Sequence, residues 1–257
     1  MKASIKNEKE IELLRVAGKR LAHILDEVSQ MIEPGVSVDA LDKRVEELIR
    51  EGGDTPALLG YQPWGSKRPF PAATCISINE EVVHGIPNEN PRVIEDGDIV
   101  SLDCVLIHEG VYADCATSVI AGSGDAAAKK LLEVTKEALM AGIKAAKGGA
   151  RVGDIGAAIE AIGNKHDYGI VYVLGGHGVG HAVHEEPFIS NLGTKGEGAE
   201  LIPGMVIAIE PMFTEGTDDV ELSSDGYTYR TKDNSRSAHF EHSVVITDGD
   251  AEILTRL

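Results

Sequence analysis

The stretch GVSVDALDKRVEELI, Gly35 to Ile49, reads as one amphipathic helix, and it returns later in the chain as GARVGDIGAAIEAIG, Gly149 to Gly163. A single offset of 114 (149 − 35) carries Gly35 to Gly149, Val38 to Val152, Leu41 to Ile155, Val45 to Ile159, Glu46 to Glu160 and Leu48 to Ile162. A glycine, a valine and a whole apolar stripe falling at one offset mark an internal repeat. Each copy follows a longer helix. From Asn7, the residues Ile11, Leu14, Leu21, Leu25, Val28 and Ile32 keep helical spacing, with Asn7 and Glu10 as a capping box, up to Pro34-Gly35. Ser37 is placed to cap the helix after it. The stretch KLLEVTKEALMAGIKAAK, Lys130 to Lys147, plays the first helix's part in the second copy and breaks at Gly148-Gly149.

Each helix pair is followed by β-like segments: TCISIN, GDIVSLDCVLI and VYADCATSVI after the first; IVYVL, GMVIAIEP, GYTYRT and AHFEHSVVIT after the second. Helices followed by runs of strands read as α+β, with two helix pairs covering one face of a largely antiparallel sheet. The expectation is one domain over 1–257, built of halves at roughly 7–122 and 123–257, with a cleft on the pseudo-two-fold axis. No Pro-, Ser- or Gly-rich linker separates the halves.

The formal net charge of −18 argues against nucleic acid or an anionic membrane as partner, because phosphate binding needs clustered Lys and Arg. Three cysteines, Cys75, Cys104 and Cys115, lie in or beside apolar runs and do not form a secreted disulfide framework. The opening MKASIKNEKEIELL has no apolar core of a signal peptide, and no apolar run reaches the length of a membrane span. A cytoplasmic protein is expected.

Carboxylates stand where apolar strands should exclude them. In GDIVSLDCVLIHEGVYADCATSVIAG the pair Glu109-Gly110 suits a two-residue hairpin turn. That register sets His108 against Val111 and Asp103 against Ala116, with Asp114 diagonal to Asp103 on the same face. The strand is apolar on both faces, so its acids need a cation. Glu210, ending GMVIAIEP, and Glu241, in AHFEHSVVIT, pose the same problem. Four carboxylates, two per half, read as ligands of a dinuclear centre of Mn, Co, Fe or Zn, and two such ions suit hydrolysis of a carbonyl compound. The missing ligand is a histidine, and GGHGVGHAVHEEP, Gly175 to Pro187, offers His177, His181 and His184.

With spacing D-x10-D and the frames GHGVGHAVHEEP, AIEP and FEHS, the set Asp103, Asp114, His177, Glu210 and Glu241 resembles methionine aminopeptidase along essentially the whole chain. The resemblance implies the pseudo-symmetric pita-bread fold with the metal site in its central cleft. It implies one metal on Asp114, His177, Glu210 and Glu241 and a second on Asp103 with the bridging Asp114 and Glu241, a hydroxide shared between the ions, and Glu210 as proton shuttle. It makes His84, in EEVVHGIP, and His184 catalytic and substrate-facing, and it places Tyr61 and Cys75 at the methionine side chain, with Trp64 or Phe70 as a further wall. The substrates implied are N-termini of nascent polypeptides with a small second residue, met close to the ribosome by a monomer.

The separation of 31 from Glu210 to Glu241 (241 − 210) leaves no room for the insertion of type II members, so the resemblance is to type I, bacterial type. The loop Tyr61 to Cys75 is longer than usual there, Val183 stands where a bulkier aromatic is common, and Tyr229 where a tryptophan is common; these changes widen the expected pocket. His23 and His166 read as ordinary histidines, His108 as a turn residue, and His181 as a non-ligand. His239 and His242 are expected to point away from or beside Glu241, while Glu185 and Glu186 either orient His184 or meet solvent. Two other readings stand beside the first: a pita-bread peptidase for Xaa-Pro bonds, whose members carry a further N-terminal domain, and a non-catalytic binding protein, which would have lost metal ligands.

Overall fold

The computed structural model describes residues 3–257; residues 1 and 2 of the expected 1–257 unit lie outside the described residues. Helices α1 (Glu8–Ser29) and α2 (Val38–Glu51) come first, followed by β1 (Thr55–Pro56), β2 (Cys75–Ile78), β3 (Glu81–Val83), β4 (Ile99–His108) and β5 (Val111–Ile120). Then come α3 (Ala126–Ala145) and α4 (Val152–Lys165), with β6 (Gly169–Ile170), β7 (Gly175–Gly178), β8 (Glu185–Ser190), β9 (Val206–Ile209) and β10 (Met212–Thr214). The chain closes with β11 (Val220–Leu222), β12 (Tyr229–Thr231), β13 (Ser237–His239), β14 (Glu241–Val245) and β15 (Glu252–Ile253).

Local sequence explains the helix ends. Asn7 accepts from the Glu10 backbone while the Glu10 side chain accepts from the Asn7 backbone, the reciprocal box that satisfies two orphan N–H groups. Helix α1 stops at Ser29, short of Pro34. Ser37 sits at the α2 N-cap but its hydroxyl makes no capping bond. Helices α2 and α4 are each 14 residues long and begin at Val38 and Val152, the two positions that the 114-residue offset superposes.

The main sheet has nine strands in the order β1-β4-β5-β14-β9-β7-β8, with β2 on β4 and β15 on β14, and its pairings are antiparallel. The β4–β5 turn has Glu109 at φ 46° and Gly110 at φ 87°, both left-handed, as a two-residue turn of this hand requires. It fixes His108 opposite Val111 and Asp103 opposite Ala116, the register expected from the sequence. One core packs Leu14, Leu21, Leu25, Leu41, Val45 and Ile49 of α1 and α2 on Val100, Leu102, Cys104 and Leu106 of β4. A second packs Leu131, Leu139, Ile155 and Ile159 of α3 and α4 on Ile207, Ile209 and Val244. Truncating any such fully buried leucine or isoleucine to alanine costs about 2–5 kcal/mol.

Two of the expected strands differ. Only Ile170 of IVYVL is in a strand, and the residues after it leave the sheet. AHFEHSVVIT is broken at Phe240, so β13 joins β10 and β6 in a separate three-stranded sheet while β14 enters the main one. His108 is not a turn residue: it ends β4, buried, with Nδ1 2.8 Å from Asp54 Oδ1. Among the described residues no helix is long and apolar enough to cross a membrane.

Candidate metal centre

Strand register assembles the acids. Asp103 faces Ala116 across β4–β5, and Ala116 faces Glu241 across β5–β14, so the two carboxylates flank one small methyl group. Asp114 lies two residues before Ala116 on the same face of β5, diagonal to both. Glu210 follows β9, whose last residue Ile209 is opposite His242. These four acids line one cavity of about 400 Å³ together with His84, His177 and His184.

Asp114, His177 and Glu241 form the tightest group, each placing one ligand atom within 4.8 Å of the others, and Asp103 and Glu210 line the cavity around them. His177 Nε2 is 3.7 Å from Asp114 Oδ2 and 3.6 Å from Glu210 Oε1. Its Nδ1 is 2.9 Å from the carbonyl of Gly178, which can only accept. Nδ1 therefore carries the hydrogen, and the Nε2 lone pair faces carboxylate oxygens, an arrangement that calls for a cation between them. Asp114 Oδ1 and Glu241 Oε1 are buried without a hydrogen-bond partner among the described residues. Burial, then the neighbouring acids, push Asp114 and Glu241 well above the carboxylate range. Burial, with Glu210 adding to it and His239 opposing, lifts Asp103 to about 6. Burial also acts to raise Glu210, but His239, His177 and His84 outweigh it and hold that group below its usual value. Divalent ions would satisfy the orphaned oxygens and offset the repulsion, and a carboxylate-rich set with one imidazole suits Mn, Fe, Co or Zn; the residues fit.

The other two histidines are held by backbone devices. His84 follows β3 at φ 60°, a left-handed conformation costing about 1–3 kcal/mol for a non-glycine residue. It is wedged beside Gly85, whose Cβ would lie 2.1 Å from the carbonyl oxygen of Ile76. Burial, aided by His239 and His177 against Glu210, lowers His84 to about 4, so its ring is neutral at pH 7. His184 stands at the open side with part of its ring in solvent, 4.5 Å between centroids from His177. Loss of water around the ring on its buried side, then His177, also pull its pKa down. The Tyr61 hydroxyl is 2.8 Å from His184 Nδ1, and burial raises the phenol's pKa, so it keeps its proton. With the phenol donating to Nδ1, His184 Nε2 is the nitrogen that carries the hydrogen.

Leu58, Tyr61, Phe70, Cys75, Val183 and Tyr227 form the apolar wall. Burial drives the Cys75 thiol well above its usual pKa, so it is a wall and not a nucleophile. Phe70 is the further aromatic; Trp64 is fully exposed and lines nothing. Tyr227, not Tyr229, takes the aromatic place on the wall, edge-on to Phe70 at 5.1 Å, while Tyr229 packs against His84. A shift of two residues keeps the same strand face, so alternation alone does not tell the two tyrosines apart. His181 is exposed, with Nε2 3.1 Å from Glu10, and His242 turns to Thr255. Glu185 does not meet the His184 ring: it accepts from Lys6 at 2.9 Å and from the backbone of His181.

His239 is the residue the sequence reading missed. Expected to point away from or beside Glu241, it is 1 % exposed, with Nε2 3.4 Å from Glu210 Oε2. The signal was there: a two-residue step from His239 to Glu241 puts both on one side of extended chain, and His242 on the other.

Metallopeptidase family M24 matches residues 12–248. The chain belongs to this family. As an M24 member it is a metal-dependent peptidase with the pita-bread fold. It is 45% identical over 261 residues to a methionine aminopeptidase of Aquifex aeolicus, covering 100% of both chains. The crystal structure of a methionine aminopeptidase from Thermotoga maritima superposes with a TM-score of 0.94 at 41% identity, covering 100% of both. A prolidase from Pyrococcus horikoshii shares the fold alone, at TM-score 0.76 and 24% identity, with 63% of that longer chain covered.

Proposed function

We propose that the protein removes the N-terminal methionine from newly made polypeptides whose second residue is small. The observation that carries this reading is the union, in one cavity, of the Asp114–His177–Glu241 cluster with an apolar wall of Leu58, Tyr61, Phe70, Cys75, Val183 and Tyr227. A flexible thioether suits such a wall.

Asp114, His177, Glu210 and Glu241 would hold one ion and Asp103, with Asp114 and Glu241, a second. When bound, divalent ions polarise the scissile carbonyl and lower the pKa of water. The protein's own groups do the rest. His184 donates from Nε2 to the carbonyl oxygen, aimed by Tyr61 at Nδ1. His84, neutral and fixed by its backbone, offers a ring N–H as negative charge develops. Glu210 stays a carboxylate, accepts the proton of the attacking water and delivers it to the leaving amine. Three free, buried cysteines suit a reducing cytoplasm, where the protein acts as a monomer on chains emerging close to the ribosome.

The test is release of methionine from Met-Ala-Ser by metal-stripped protein given Mn, Co, Fe or Zn in turn, beside an Ala-Pro peptide. Metal-dependent loss of Met, abolished by chelator, is expected. No release with any of the four metals sinks the reading, and cleavage before proline in its place would favour an Xaa-Pro peptidase.

A further inference from the structure

Glu210 lies between two imidazoles. His177 Nε2 stands 3.6 Å from Oε1 and His239 Nε2 3.4 Å from Oε2. The two contacts differ in kind. His177 presents a lone pair, since its hydrogen is on Nδ1. Among the described residues neither nitrogen of His239 has a hydrogen-bond partner, although both are buried. At 3.4 Å from Oε2, Nε2 is within reach of that oxygen but short of a formed hydrogen bond.

The backbone of His239 is held in place. Its backbone N–H donates to Ser118 Oγ at 3.0 Å, the same hydroxyl donates to its carbonyl at 2.7 Å, and β13 pairs it with Met212. Ser118 is itself 2.7 Å from the Ser101 hydroxyl, so the clamp reaches across β4 and β5. A residue clamped so firmly, with an unsatisfied ring aimed at one carboxylate oxygen, is built for that oxygen.

We propose that His239 is the positioning residue for Glu210: its Nε2–H holds Oε2, which leaves Oε1 as the oxygen presented beside His177 and Asp114. A carboxylate free to rotate offers either oxygen and either mode of ligation; one pinned by a donor offers a single oxygen in one orientation. The inference rests on Glu210 as metal ligand and proton carrier.

The experiment titrates metal-stripped full-length protein with Co(II) by calorimetry and records the visible spectrum of the Co(II)-loaded protein. Three variants are compared: His239→Leu, similar in size without a donor; His239→Gln, whose amide reaches about as far as Nε2; and His239→Asn, whose shorter amide does not. Leu and Asn should lose about 10- to 100-fold in Co(II) affinity, the usual scale for groups that orient a ligand, and shift the spectrum. Gln should restore both. Unchanged affinity in His239→Leu would overturn the proposal, and so would a Gln variant as weak as Leu, since the ring and not its N–H would then be what matters. If Leu fails to fold, judged by melting without metal, the contrast between Gln and Asn decides in the same way. No substrate enters this measurement, so failure of the unaltered protein to release methionine would defeat the proposed function and leave the result on His239 standing.

Discussion

The β4–β5 hairpin and the Gly175–Pro187 segment both deliver side chains to the same cavity, and they do so by opposite means. The hairpin holds two ten-residue strands in unbroken register, so Asp103 and Asp114 are placed by alternation alone. The glycine segment pairs irregularly, with a register shift between Gly176 and Gly178, and a Cβ at Gly176 would lie 2.1 Å from the carbonyl of Ala208. The first region places its ligands by period, the second by close approach of bare backbone. Sensitivity should follow: the hairpin is intolerant at its acids, the segment at its glycines.

The largest effect is expected at Asp114. Asp114→Asn should lower metal affinity by more than about 100-fold, since even groups behind a ligand cost 10- to 100-fold, and methionine release should fall with it. Freed of chelated metal, the same variant should melt higher than the parent at pH 8, because a buried acid crowded by others is gone. An unchanged Co(II) isotherm would remove Asp114 from the centre. Next, Gly176→Ala should destabilise by about 3 kcal/mol in urea unfolding, whereas Gly110→Ala, left-handed but in open space, should cost about 1 kcal/mol. Equal costs would erase the contrast between the regions. Tyr61→Phe comes third: loss of one hydrogen bond to His184 should reduce kcat about tenfold with Co(II) affinity untouched. A rise in KM with kcat unchanged would make Tyr61 a wall only.

The smallest effect concerns Asp42, which accepts from the backbone of Ala73 and Thr74 and is raised to about 6, mainly by burial. Between the usual carboxylate pKa and 6 the folded protein binds more protons at this group than the unfolded chain. This contribution therefore favours the native state as pH falls through that window and is withdrawn above it. Asp42→Asn should flatten the pH dependence of melting between about pH 4 and 6; an unaltered slope would show that Asp42 titrates normally.

The hairpin, the helix repeat and the acid positions were legible because each rests on a short-range period or a turn rule. The second half was harder. The apolar run IVYVL reads as a strand by composition, yet Val173 and Leu174 line the cavity from a loop. The break at Phe240 has no proline or glycine to announce it, and it puts His239 in a different sheet from Glu241. Trp64 resembles a pocket wall in sequence and stands in solvent, while Phe70 of the same loop lines the cavity.

The junction of β5 with β14 is short, with Glu241 opposite Ala116 and His242 opposite Cys115. It is also where strands from the first run of the chain meet those from the second. Asp114 and Glu241 stand on its two sides, 127 positions apart in sequence (241 − 114). An ion held by both is a removable cross-link that closes a long loop, and closing long loops is what an unfolded chain finds most costly in entropy. The same atoms that serve peptide hydrolysis thus tie chain topology to metal supply: a starved molecule keeps both helix-packed cores and the strand pairing between them but loses one fastener across the seam.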